Sequence, residues 1–237
     1  MGCKGLILLL GESFRLGGQF TRNIGSDESF AGQMKASNSH ISLMENLKQK
    51  GCDIDIYLSS YNTKFNNELL HIYEKYSIGY DLYNERIGVN KLLHNSISKI
   101  KDLHNYNFIF YLRIDLFLKE EFLNIFNPKW EMIMFPSICF IPHHKVGIHP
   151  RVSDTMLFIP KKYYNHVKYI TFTPTGHDLW VKLLNSNLTY YDMDTMLNTY
   201  HDSDSAKDFN PIYYIVNRPE CTKVHTPGVI FDKFNFK

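Results

Sequence analysis

The sequence predicts an α/β fold, a mostly parallel central sheet flanked by helices. Strand-like apolar runs alternate with helix-spaced segments through the first half of the chain. The run Phe108-Ile109-Phe110-Tyr111-Leu112 is apolar at every position, as a strand covered on both faces requires. Charged residues gather where two of these runs end, at Glu12 and Arg15 after the first and at Arg113 and Asp115 after the central one.

Residues 5–10 read as the first buried strand, followed by the polar, glycine-containing loop 11–18. Ile41, Met44 and Leu47 lie at helical spacing within 37–50, and Gly51 supplies the stop. Residues 53–59 alternate as a strand, 67–76 read as helix and 79–83 as a short strand. Leu92, Leu93, Ile97, Ile100 and Leu103 mark an amphipathic helix over 89–103. The central strand 108–112 follows directly, then a helix over 120–126 and a strand over 132–135. Residues 136–151 form a long irregular loop holding His143, His144 and His149, and loops of that length are usually functional or mobile. A strand over 155–159, a helix over 178–184 and a strand over 188–191 complete the pattern.

At 237 residues a single domain buries a substantial core, and no linker, repeat or low-complexity tract calls for a second. Hydrophobic residues at 44% and charged residues at 21% argue against extensive disorder. Aromatic residues, 15% of the chain, are spread along it as core residues are. A net charge of +2 is too small for a nucleic-acid partner, because that affinity comes from neutralising many phosphates at once. Residues 6–10 are too few to span a membrane, and Gly11-Glu12 ends the run without a cleavage pattern. No anchoring or export segment is therefore expected. Leu6 stands where a myristoylation signal has Ser or Thr, and the Asn187-Leu188-Thr189 sequon is a chance-level match. Cys3, Cys52, Cys139 and Cys221 are far apart and form no CxxC, which predicts reduced thiols in a cytoplasmic protein.

The first loop carries Gly11, Glu12, Ser13 and Arg15, with Arg22 shortly after. It lacks both the P-loop lysine and GxGxxG, so neither an ATPase nor a dinucleotide enzyme is supported. A basic loop after a first strand can still hold a diphosphate through guanidinium forks. Arg113 and Asp115 interrupt an apolar run, where an ionised group costs several kcal/mol unless it is paired, metal-bound or placed at the strand's exit. They are either the functional edge of the sheet or a structural strut. Asp53 and Asp55 start a strand at the opposite end and read as solvated. Asp192-Met193-Asp194 lacks the placement of a phosphatase aspartate motif, while Asp202 and Asp204 either ligate a cation or cap a helix. His143, His144 and His149 have no zinc spacing, and no nucleophile elbow supports Ser-His-Asp chemistry.

Taken together these segments resemble the GT-A class of nucleotide-sugar glycosyltransferases, of the poorly characterised kind found among capsule-type and large-virus proteins. Asp115 in Tyr111-Leu112-Arg113-Ile114-Asp115-Leu116 looks like the last carboxylate of that class's Asp-x-Asp element. Val152-Ser153-Asp154-Thr155-Met156-Leu157-Phe158-Ile159-Pro160 is similar to the segment that places an aspartate before a strand on the acceptor side. Gly176-His177-Asp178-Leu179-Trp180 looks like the helix start that supplies a base in inverting members.

The resemblance implies one Rossmann-like GT-A domain over 1–237, with 1–115 as the nucleotide-binding half and 116–237 as the acceptor-side half. It implies transfer of a hexosyl or related sugar from a nucleotide-diphosphate donor to a hydroxyl of a glycan or protein. Gly11, Glu12, Arg15, Arg22, Arg113 and Asp115 would bind the donor, and Asp178 or Asp154 would act as base. Asp115, with His201 or His225, would hold a divalent cation, Mn or Mg, on the diphosphate. Arg113 departs from the pattern by replacing the first acid, so the site either holds its metal weakly or turns the guanidinium itself on phosphate. The rival readings are a noncatalytic nucleotide-sugar-binding protein on the same fold and a metal-dependent phosphoesterase.

Overall fold

Leucine and isoleucine at every position from Leu6 to Leu10 leave the first strand no polar face, so it must be covered on both sides. The computed structural model describes residues 2–18, 22–135, 138–139, 151–152, 155–166, 193–195 and 212–218. In chain order the described elements are β1 (Cys3–Leu10), β2 (Arg15–Leu16), β3 (Asn23–Ile24), α1 (Phe30–Gln49), β4 (Cys52–Tyr61), α2 (Asn66–Tyr73), β5 (Ser77–Tyr83), α3 (Val89–Lys99), β6 (Phe108–Arg113), β7 (Leu116–Leu118), α4 (Glu120–Ile125), β8 (Ile133–Phe135), β9 (Ile138–Cys139), β10 (Arg151–Val152), β11 (Met156–Pro160), β12 (Met193–Thr195) and β13 (Tyr213–Ile215).

Seven of the described strands form one mixed, mostly parallel sheet in the order β12-β8-β11-β6-β1-β4-β5. Strand β11 runs antiparallel to both its neighbours, whereas β6, β1, β4 and β5 are mutually parallel and end at the same edge. Successive side chains of β1 point to opposite faces. Ile7 and Leu9 join Leu43, Met44 and Leu47 of α1, Leu69 and Tyr73 of α2, and Phe122 of α4. Leu6, Leu8 and Leu10 join Leu93 of α3 with Tyr106, Tyr163 and Tyr164. Asp53 and Asp55 lie at the start of β4, far from the edge where the parallel strands end, and Asp55 accepts from the Tyr106 hydroxyl at 2.7 Å.

Three sequence expectations change. The first helix begins at Phe30 rather than residue 37 because its early turns bury polar rather than apolar side chains, among them Gln33, Ser37, Ser39 and His40. These serve the backbone of neighbouring segments. The Leu118 N–H donates to Ser39 Oγ at 2.9 Å, and His40 Nε2 donates to the Leu116 carbonyl at 2.7 Å, so α1 satisfies one edge of β7 as a strand would. The second change concerns cysteine: Cys3 and Cys52 face each other across β1 and β4 with Cα atoms 4.4 Å apart, and they are joined as a disulfide. The expected reduced thiols give way here because sequence spacing does not reveal cross-strand register. The third is the interval 136–151, whose described ends, β9 and β10, pair antiparallel. The predicted helix 178–184 and strand 188–191, with His143, His144, His149, Asp202 and Asp204, lie outside the described residues. No described helix is long and apolar enough to cross a membrane.

Gly5 stands opposite Phe108 of β6, whose ring lies over it and stacks on Phe158 with centroids 5.0 Å apart. A Cβ at Gly5 would fall 2.2 Å from Phe108 Cζ, inside the ring's own volume. Gly5→Ala is expected to destabilise the fold by about 1–3 kcal/mol in denaturant unfolding, as overpacking does. Gly2→Ala, whose Cβ meets nothing within 4 Å, should leave stability unchanged.

A carbonyl only accepts, so His40 carries its proton on Nε2 and receives the Tyr73 hydroxyl on Nδ1 at 2.8 Å. Burial lowers its pKa to about 4, against the opposing pull of the Leu116 carbonyl and Asp115. Between the unfolded value near 6.5 and the folded value of about 4, the unfolded chain binds the extra proton. Stability should therefore fall as pH drops through that window, by about 3 kcal/mol in all, and level off below it. Urea unfolding from pH 6.5 to 4.5, above most carboxylate titration, should show this slope in the native chain and lose it in His40→Gln.

Candidate functional site

The edge where β1, β4, β5 and β6 end is where ligands bind in open α/β sheets, and the chain places its charged loops there. After β1, the Gly11 N–H donates to the Ser59 carbonyl at 3.1 Å, with Gly11 at a φ of 128° that suits a residue without Cβ. Ser60 Oγ lies 2.8 Å from the Gly11 carbonyl and 2.9 Å from Ser13 Oγ, fastening the loop to β4. Phe14 adopts φ 51°, an uncommon conformation for a bulky residue, and its surroundings hold it there. Its ring packs on Phe30 and Phe65 with centroids 5.7 and 4.8 Å away, and its N–H donates to Gln33 Oε1 at 3.0 Å.

This turn sends Glu12 and Arg15 to the sheet edge side by side. Arg15 Nη1 makes an ion contact of 3.0 Å with Glu12 Oε2, without the alignment of a hydrogen bond. Glu12 Oε1 accepts from Arg22 Nη1 at 3.0 Å and lies 3.5 Å from Nε of Arg86, on the loop after β5. The Gly88 N–H donates to the Tyr61 hydroxyl at 3.1 Å, holding that loop against the end of β4. Arg15 is only 5% exposed, and its Nε and Nη2 have no hydrogen-bond partner among the described residues.

At the end of β6, Arg113 donates through Nε to Asp115 Oδ1 at 2.9 Å and through Nη2 to Oδ2 at 2.6 Å, a bidentate fork. Asp115 is 1% exposed. Burial pushes its carboxyl up, but Arg113, Arg218 and Arg15 outweigh that and hold it below the ordinary aspartate range. Burial also lowers the Arg15 pKa, opposed by Asp115 and Glu12. Gln33 ties the two loops together, accepting from the Phe14 N–H and donating to the Ile114 carbonyl at 2.8 Å.

Of the residues singled out in the sequence, Gly11, Glu12, Arg15, Arg22, Arg113 and Asp115 converge on this edge. Asp154, Asp178, His201 and His225 lie outside the described residues. Sequence reasoning missed Arg86, Arg218 and Gln33. Arg86 follows the fourth parallel strand of the edge, a position the strand pattern could have flagged. Arg218 arrives through β13, which pairs with β7 from almost 100 residues downstream and leaves no local signal.

A divalent cation takes carboxylate, carbonyl and water oxygens. Both Asp115 oxygens already accept from Arg113, Glu12 is ringed by Arg15, Arg22 and Arg86, and no cluster of three His, Cys, Asp or Glu occurs among the described residues. These described groups suit an anion and do not fit a cation, and His201 and His225, the other expected ligands, lie outside the described residues. The chemistry they offer is fixation of a phosphate or diphosphate by convergent guanidinium donors.

No protein-family model matches the sequence, and no curated protein sequence matches it. Solved structures do. The inositol-1-phosphate CTP transferase of T. maritima matches with a TM-score of 0.50 at 9% identity, over 91% of this chain and 89% of that one. The S. aureus TarS structure matches with a TM-score of 0.48 at 8% identity, over 90% and 60%. Drosophila beta-1,4-galactosyltransferase 7, a mutant in complex with manganese, UDP-Gal and xylobiose, matches with a TM-score of 0.44 at 11% identity, over 84% of this chain. The chain spans 66% of the length of that galactosyltransferase structure. At 9% identity the likeness to the T. maritima transferase concerns the fold alone, a Rossmann-like α/β sheet.

Proposed function

We propose that the chain is a glycosyltransferase that moves a hexosyl or related sugar from a nucleotide-diphosphate donor to a hydroxyl of a glycan or protein. The observation that carries this reading is the convergence of Arg15, Arg22, Arg86 and Arg113 on the edge where four parallel strands end. A leaving nucleoside diphosphate gains negative charge as the bond from its β-phosphate oxygen to the anomeric carbon breaks. Guanidinium donors fixed at that position stabilise the charge where it develops. With inversion, the acceptor oxygen forms the new bond to the anomeric carbon and its proton passes to a carboxylate base, for which Asp178, or Asp154, is proposed.

The test is to incubate the full chain with UDP-glucose, UDP-galactose, GDP-mannose and dTDP-rhamnose and measure nucleoside diphosphate release. Slow hydrolysis of at least one donor is expected. Binding without release would indicate a noncatalytic module, and cleavage of p-nitrophenyl phosphate instead of any donor would indicate a phosphoesterase. Once an acceptor is found, Asp178→Asn should bind donor normally and transfer about 10²–10⁴-fold more slowly. Undiminished transfer by that variant would move the base to Asp154.

A further inference from the structure

The charge balance of the site bears on how a diphosphate would be neutralised, an inference that rests on the nucleotide-diphosphate reading above. Among the described residues five guanidiniums, those of Arg15, Arg22, Arg86, Arg113 and Arg218, surround two carboxylates, Glu12 and Asp115. Each carboxylate already has its countercharge, so the excess is positive. The arginines differ in freedom. The Arg22 and Arg86 side chains are 34% and 49% exposed and reach Glu12 from outside, whereas Arg15 is 5% exposed and locked beneath them. A buried guanidinium with two donors unmet by any described residue is costly to keep. An anion at the Nε–Nη2 edge of Arg15 would satisfy both donors.

We propose that this site neutralises a nucleoside diphosphate with guanidinium groups in place of a divalent cation: Arg15 offers Nε and Nη2 as a fixed fork, while Arg22 and Arg86 close on the phosphates from Glu12. Glu12 then acts as a stand-in anion that keeps the arginines gathered while the site awaits ligand. A metal bound to Asp115 would have to displace the Arg113 fork and enter a surplus of positive charge. A diphosphate meets neither obstacle.

Calorimetric titration of the full chain with UDP, GDP, CDP, ADP, dTDP and inorganic pyrophosphate, in EDTA and again in excess Mn²⁺ or Mg²⁺, decides the matter. At least one nucleoside diphosphate should bind in EDTA with a Kd within about threefold of its value with metal. Arg86→Ala, at an exposed position that does not threaten folding, should weaken that binding about tenfold, and Arg15→Lys should weaken it at least as much because lysine lacks the planar fork. Binding that requires metal would overturn the proposal while leaving the nucleotide-diphosphate reading intact. Absence of binding by every probe under both conditions would remove that reading and this proposal with it. Unchanged affinity in both arginine variants would overturn the assignment of the arginines.

Discussion

Among the described residues, two carboxylates are held at the carboxyl edge of the sheet with more guanidiniums than they need, and much of the local architecture keeps that arrangement in place. Burying Asp115 as an anion is unfavourable unless it is paired and fully hydrogen-bonded. Arg113 supplies both hydrogen bonds from two residues away, which fixes the junction between β6 and β7. The Asp115 carbonyl in turn accepts the Val216 N–H at 2.9 Å, drawing the segment after β13, and Arg218 with it, over the site. That segment is secured at its own far end. The Asn217 carbonyl accepts the Gly17 N–H at 3.0 Å, and its Nδ2 donates to the Ser29 carbonyl at 2.8 Å. Gly32 permits this approach, since a Cβ there would lie 2.1 Å from Asn217 Oδ1.

Helix α1 is the common support. A helix facing a core normally presents an apolar stripe, yet α1 buries Gln33, Ser39 and His40 because its neighbours are unpaired backbone groups of the site loops and of β7. Gln33 spans the Glu12–Arg15 loop and the Arg113–Asp115 turn, so the two halves of the cluster share one rigid element. Charged side chains are held more precisely by packed secondary structure than by their own loops. The disulfide between Cys3 and Cys52 staples β1 to β4 at the opposite end of the same strands.

What was legible in the sequence followed from periodicity. Strands β1, β4, β6 and β11 and helix α3 announce themselves by apolar spacing, and the charges after β1 and β6 mark the edge at which four parallel strands end. Features set by long-range register were not legible. The Cys3–Cys52 pairing depends on how β1 aligns with β4, and the arrival of Arg218 depends on β13 crossing back to β7. The start of α1 was hidden because a helix that binds backbone with polar side chains looks like a surface helix in sequence. Arg113 was the informative exception: this arginine within an apolar run, read as either strut or functional edge, pairs with Asp115 and lies within the basic cluster.

The most direct test of the central claim, that this arginine cluster is the seat of a donor diphosphate, is a crystal structure of the chain soaked with nucleotide-diphosphate sugars. The account predicts both phosphates at the edge formed by β1, β4, β5 and β6, within hydrogen-bond distance of Arg15 Nε and Nη2, with Arg22 and Arg86 turned from Glu12 onto the ligand. A donor bound elsewhere on the chain, or a diphosphate bridged to Asp115 by a cation with the Arg113 fork opened, would contradict it.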